Sequence, residues 1–168
     1  MRAFGICIVL ALLAAAAAAQ QPAAQSPDQT MKTFASSNDV MGLIAKAKSE
    51  RKEGQALVSE RILQLAPYNV TLEYRTAVAA AAVHEREAEM FYVIDGSATM
   101  VTGGKLVNET RPNADNLSGT AIEGGTSRTV AKGDFIIVPE NTPHWYTAIN
   151  GTLILMSFHV PRPVPAAH

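Results

Sequence analysis

The chain has 168 residues, is 48% hydrophobic and carries a formal net charge of −1. That is about one domain's length, with enough apolar content to bury a core. The near-zero charge argues against a nucleic-acid partner and against a polybasic membrane anchor.

The first nineteen residues, MRAFGICIVLALLAAAAAA, have the parts of a secretory signal. Arg2 is the positive start, Ile6 to Leu13 the apolar centre, and the alanine run before Gln20 a small-residue cleavage site. The strongly apolar part is shorter than the roughly 20 residues a spanning helix needs. Cleavage is therefore expected near Ala19, giving a secreted or periplasmic protein that keeps no membrane segment. The only cysteine, Cys7, lies in this leader and too early to be acylated at the cleavage site, so the mature chain forms no disulfide.

Residues 20–35 begin with polar, proline-bearing QQPAAQSPDQT and predict a disordered linker. Ser36, Ser37, Asn38 and Asp39 offer helix N-caps. Val40, Leu43, Ile44 and Ala47 then recur at helical spacing, and Gly54 follows a charged stretch. The spacing predicts one amphipathic helix over 39–52, within an N-terminal unit of 36–54. Its apolar face must pack on the main domain or on a partner subunit.

From Gln55 onward the pattern is β. Six runs rich in Val, Ile, Thr and aromatic residues are separated by Gly, Pro, Asn and Asp. Asp95-Gly96 is a turn signal after FYVI. Short strands without intervening helices predict an all-β sandwich or barrel over 55–165. Residues 105–126 read as a long polar loop, and the glycine pairs at 103–104 and 124–125 are turn chemistry, since no helix start follows either. Asn69, Asn108, Asn116 and Asn150 head Asn-x-Ser/Thr sequons, which mark surface loops only where the source glycosylates.

Two stretches carry chemistry. One is His84-x-Arg86-x-x-Glu89, then six residues, then Gly96. The other runs from Gly133 through DFIIV to Pro139, Glu140, Asn141 and His144. Here a turn enters an apolar strand, Pro139 ends it, the chain reverses at Glu140-Asn141, and His144 opens the next strand.

These stretches resemble the two motifs of the cupin superfamily, G-x5-H-x-H-x3-4-E-x6-G and G-x5-P-x-G-x2-H-x3-N. Gly133, Pro139 and His144 match the second with correct spacing; Asn141 stands for its Gly and Ala148 for its Asn. Asn also tolerates positive φ. Glu89 and Gly96 match the first, which retains one histidine. If His84 is the first histidine, Arg86 replaces the second and the gap to Glu89 is one short. If His84 is the second, Ala82 replaces the first and the gap is allowed, so counting favours this register.

The resemblance covers about 55–165. It implies a double-stranded β-helix, a cupin jelly-roll barrel with its site inside. It also implies a metal site of His84, Glu89 and His144. Two histidines and a carboxylate suit Fe, Mn or Zn with positions open to water or substrate.

Arg86 would share a strand face with His84 and clamp an anion if it pointed inward. Past the strand end it would instead pair at the surface with Glu85 or Glu87, and the spacing leans that way. Tyr146 shares a face with His144 and is expected to line the pocket. Phe91 and Val93 share the parity of Glu89 and are expected as its apolar wall. Trp145 has the opposite parity and should pack outward. His159 and His168 match no motif position and read as structural or incidental.

Cupins host many activities, so the resemblance leaves function open. One reading is a metal-dependent dioxygenase, isomerase or epimerase acting on a small polar molecule. The alternative is a non-catalytic small-ligand binder without metal. A weaker third is a structural role through homodimerisation.

Overall fold

The computed structural model describes residues 31–162. The leader, most of the linker, Cys7 and His168 lie outside the described residues. Helix α1 (Ser37–Glu50) is capped by Ser36, whose hydroxyl accepts from the Asp39 amide while the Asp39 carboxylate accepts from the Ser36 amide. This reciprocal capping box starts the helix two residues before the expected Asp39. Val40, Leu43, Ile44 and Ala47 then pack on Ile62, Val70, Leu72 and Tyr74. Of the two expected partners for the helix, the main domain is the one observed.

Ten strands follow: β1 (Leu57–Leu65), β2 (Tyr68–Arg75), β3 (Ala81–His84), β4 (Glu87–Thr102), β5 (Lys105–Val107), β6 (Asn116–Gly119), β7 (Ala121–Glu123), β8 (Thr126–Ala131), β9 (Phe135–Val138) and β10 (His144–Pro161). All pairings are antiparallel. The two long strands organise the barrel. The first half of β10 pairs with β3 and the second half of β4, and its last half with β2 and the start of β4. Strands β8 and β9 flank β4 at its two ends. The result is a jelly-roll barrel of the double-stranded β-helix type, as the motifs imply. Among the described residues no helix is long and apolar enough to cross a membrane.

Two local expectations are corrected. Asp95-Gly96 is not a hairpin turn, because β4 runs straight through it. Gly96 has φ +85°, and a Cβ there would stand 1.9 Å from the Thr152 carbonyl oxygen, so two long strands cross closely at this point. The segment 105–126 is not a structureless loop. It carries β5, β6 and β7, and β6 adds a strand beside β3.

The core divides by strand parity. Val70, Leu72 and Tyr74 of β2 face the helix. The inner core holds Phe91, Val93, Met100, Val130, Tyr146, Leu153 and Leu155. The alternate β2 residues Asn69, Thr71, Glu73 and Arg75 therefore take the inward face, opposite His159, Ser157, Leu155 and Leu153 of β10.

Candidate metal centre

Four side chains meet at one carboxylate. Glu89 lies on β4 and is 4% exposed. His84 Nε2 is 3.1 Å and His144 Nε2 3.0 Å from Glu89 Oε2, and His159 Nε2 is 3.4 Å from Glu89 Oε1. The three imidazoles come from three places in the chain: the end of β3, the start of β10 and the end of β10. His159 is the register partner of Glu89, and His144 that of Ala82, two residues before His84.

Each imidazole is oriented through its other nitrogen. His84 Nδ1 donates to Asn116 Oδ1 at 2.6 Å, and Asn116 is itself held by Asn113. His144 Nδ1 donates to the Thr142 carbonyl at 3.3 Å. His159 Nδ1 donates to Glu87 Oε1 at 2.6 Å. Such partners fix each ring with Nε2 turned to the centre, where it donates to Glu89 when protonated and offers its lone pair to an ion when not. Ser157, fully buried, donates to Glu89 Oε1 at 2.5 Å and fixes the carboxylate plane.

Burial alone would raise the pKa of Glu89, but its contacts with His144 and His84 hold it well below the usual carboxylate range. Burial would lower the pKa of His84, yet Glu89 more than offsets this and raises it. Burial likewise opposes the charge of His159, which Glu87 raises, while the His159 hydrogen bond lowers Glu87. The cluster is thus a set of histidine–carboxylate pairs, with two acidic groups facing three imidazoles.

The donor set fits a divalent ion. His84, Glu89 and His159 offer ligand atoms within 4.8 Å of one another. Two ligands each ~2.1 Å from one ion stand at most ~4.2 Å apart, so modest closure suffices. Imidazole nitrogens with one carboxylate oxygen suit iron, manganese or zinc.

The sequence-expected residues divide clearly. His84, Glu89 and His144 come together. Phe91 and Tyr146 lie directly inside them, with ring centroids 6.0 Å apart and Phe91 6.0 Å from His144. Arg86 is not in the pocket. Strand β3 ends at His84, and the Arg86 side chain is 79% exposed and paired with Asp115 at 3.0 Å, not with Glu85 or Glu87. Glu85 instead binds Arg111 through both oxygens. Ala82 takes the inward β3 position beside His144, as the favoured spacing requires. Trp145 turns outward and donates to the Ala79 carbonyl. Asn141, at φ +57°, adopts the conformation of the motif's glycine. Ala148 is exposed beyond a register shift that follows Tyr146.

His159 is the main correction. It is not incidental, because it occupies the centre. Its inward parity with Leu153, Leu155 and Ser157 was the available signal, but only the pairing of β10 with β4 shows what it faces. Glu87, Asn116 and Ser157 were also missed. Asn116 is a half-buried partner of His84 and not a free surface sequon.

With this geometry in place, comparison with known proteins settles the family. The cupin family model matches residues 54–164, and the chain belongs to that family. No protein of curated function matches it in sequence. Among solved structures, it is similar to KdgF from Halomonas sp., at 16% identity over 67% of this chain and 87% of that one, with a TM-score of 0.49. It is also similar to TT1209 from Thermus thermophilus, at 15% identity over 71% and 95%, TM-score 0.48. A third is the hydroxypropylphosphonic acid epoxidase from S. wedmorenis, at 18% identity over 64% and 52%, TM-score 0.48, so this chain spans about half of that protein. These likenesses concern the fold alone.

Proposed function

We propose that this cupin is a metal-dependent enzyme acting on a small polar molecule, with chemistry of the dioxygenase or isomerase/epimerase type. The observation that carries the reading is the convergence of His84, His144 and His159 on Glu89, each imidazole held at Nδ1 with Nε2 turned to the carboxylate, His84 and His144 at Oε2 and His159 at Oε1. His84, Glu89 and His159, whose ligand atoms lie within 4.8 Å of one another, would hold an iron, manganese or zinc ion, with His144 at 3.0 Å from the same carboxylate as a fourth candidate.

A bound ion would supply Lewis acidity or oxygen activation. The protein's own residues do the rest. Asn116, Thr142 and Glu87 keep the imidazoles in one tautomer. Ser157 keeps the Glu89 carboxylate from rotating. Phe91, 1% exposed, packs against His144 and Tyr146 as an apolar wall of the centre. His84 and His159 are each 18% exposed at the side chain and form the open side through which a small molecule reaches the centre.

The 1–19 leader supports a secreted or periplasmic mature form beginning near Gln20. Intact mass of protein recovered from the native host tests this, and a full-length chain counts against it. Metal content of untagged protein tests the main proposal. Stoichiometric Fe, Mn or Zn, lost in a His84→Ala/His144→Ala variant, is the expected result. Protein that takes up none of them overturns it.

A second reading has one observation in its favour: the histidine–carboxylate pairs already satisfy one another without an ion. It describes a non-catalytic small-ligand binder. A thermal-shift screen in which polar compounds stabilise the protein and metals do not would favour it.

A further inference from the structure

The inward face of β2 carries polar residues where core packing calls for apolar ones. Glu73 is 7% exposed and stands opposite Leu155 in register. Arg75 donates from Nε to Glu73 Oε2 at 2.7 Å, and both side chains are largely buried. Its terminal nitrogens make no hydrogen bond among the described residues. The guanidinium lies over the Tyr146 ring, 5.0 Å from the centroid. Tyr146 is 3% exposed, and its buried hydroxyl has no hydrogen-bond partner among the described residues.

Stability alone does not account for this trio. A buried ion pair is often no better than apolar residues of the same volume, and a buried hydroxyl without a partner is destabilising. The arrangement has the form of a preorganised clamp. Glu73 grips the guanidinium at Nε, the Tyr146 ring fixes its plane, and the edge bearing both terminal nitrogens is left to bind. That edge matches a carboxylate with two parallel hydrogen bonds, and the phenol supplies a third donor.

The clamp is placed to work with the His/Glu centre. Tyr146 is two residues from His144 on the same strand face, about 7 Å along the strand. Thr71 and Asn69 continue the polar face of β2 from Glu73 to His159, the partner of Asn69.

We propose that Arg75 and Tyr146 form a carboxylate-binding subsite inside the barrel, so that the molecule handled at the His/Glu centre is a small organic acid. Its carboxylate seats on Arg75 and its far end reaches the centre. The choice of substrate class rests on the metal-centre reading, whereas the subsite itself does not.

The test uses matched pairs that differ in the carboxylate: D-gluconate against D-glucitol, and glutarate against 1,5-pentanediol. Binding is measured by calorimetry on metal-free and on manganese-loaded protein. At least one acid should bind tenfold or more tighter than its neutral partner in the metal-free protein. Arg75→Gln should abolish that preference, and Tyr146→Phe should reduce it about threefold to tenfold, both with manganese uptake unchanged. Arg75→Gln leaves Glu73 buried and unpaired, so Glu73→Gln/Arg75→Gln is measured beside it.

A readout independent of variant folding is the ¹⁵N resonance of the Arg75 side chain in the wild-type protein. It should shift with the acid and not with the alcohol. Equal binding of acid and alcohol in both pairs, a preference that survives in Arg75→Gln, or an unmoved Arg75 resonance overturns the subsite. Failure of manganese uptake with the carboxylate preference intact overturns the metal-centre reading alone.

Discussion

His159 Nε2 faces Glu89 Oε1 at 3.4 Å, while its Nδ1 donates to Glu87 at 2.6 Å. One imidazole therefore spans a buried carboxylate and an outer one, the arrangement by which a carboxylate orients a metal-ligating histidine. Glu87→Gln should weaken metal binding about 10- to 100-fold, the usual cost of removing such an orienting partner. His159→Ala should weaken it by at least as much. Competition with a chromophoric chelator measures both. Unchanged affinity in His159→Ala would leave His84, Glu89 and His144 as the complete set.

The metal-free protein should be most stable in mildly acidic solution. His84 and His159 have raised pKa values, so their contribution is fully present below the ordinary histidine value of 6.5 and is lost as pH rises through the folded values. Glu87 and Glu89 have lowered values, so theirs is present above the ordinary 4.5 and is lost as pH falls. The thermal midpoint of the chelated protein should peak between about pH 4.5 and 6.5. Metal binding should show the reverse trend, tightening as pH rises and releasing protons, because the ion displaces them from His84 and His159. Calorimetry in two buffers of different ionisation enthalpy reads that release.

Gly96 and Gly133 both have positive φ, at +85° and +91°, yet they should respond differently to alanine. At Gly133 nothing lies within 4 Å of the added Cβ, so the cost is backbone strain of about 1–2 kcal/mol. At Gly96 the Cβ meets backbone of the crossing strand at 1.9 Å, and that strand must shift as well. Gly96→Ala should cost about 2 kcal/mol or more beyond Gly133→Ala. Urea unfolding of the two variants decides this.

Arg86→Ala should alter stability by no more than about 0.5 kcal/mol, since its pair with Asp115 is exposed and screened. Metal affinity should stay within twofold of the parent. A large loss of either would place Arg86 in the site after all.

Much of this architecture was readable locally. Strand faces follow from alternation, so the inward parity of Glu89, Phe91 and Tyr146 could be assigned from the order of residues alone. The turn before His144 was legible because glycine, proline and asparagine constrain the backbone by their own covalent structure. The helix starts two residues before the expected 39 because, of the four N-caps offered by 36–39, Ser36 is the one used, in a capping box with Asp39.

The composition of the centre was another matter. Nothing near His159 in the chain distinguishes it from an incidental histidine. It reaches Glu89 because β10 pairs with β4 in one register, which joins residues 70 positions apart. Arg86 failed to enter the pocket for a related reason: β3 stops at His84, so the alternation that would have pointed it inward ends first. Arg75 and Tyr146 likewise meet only because β2 and β10 are drawn together in one closed sheet. By itself, the sequence determined which residues lie on the inner faces of the strands, since side-chain alternation is a property of the extended chain. Which of those inner residues become neighbours was decided by strand register and barrel closure, which only the tertiary structure supplies.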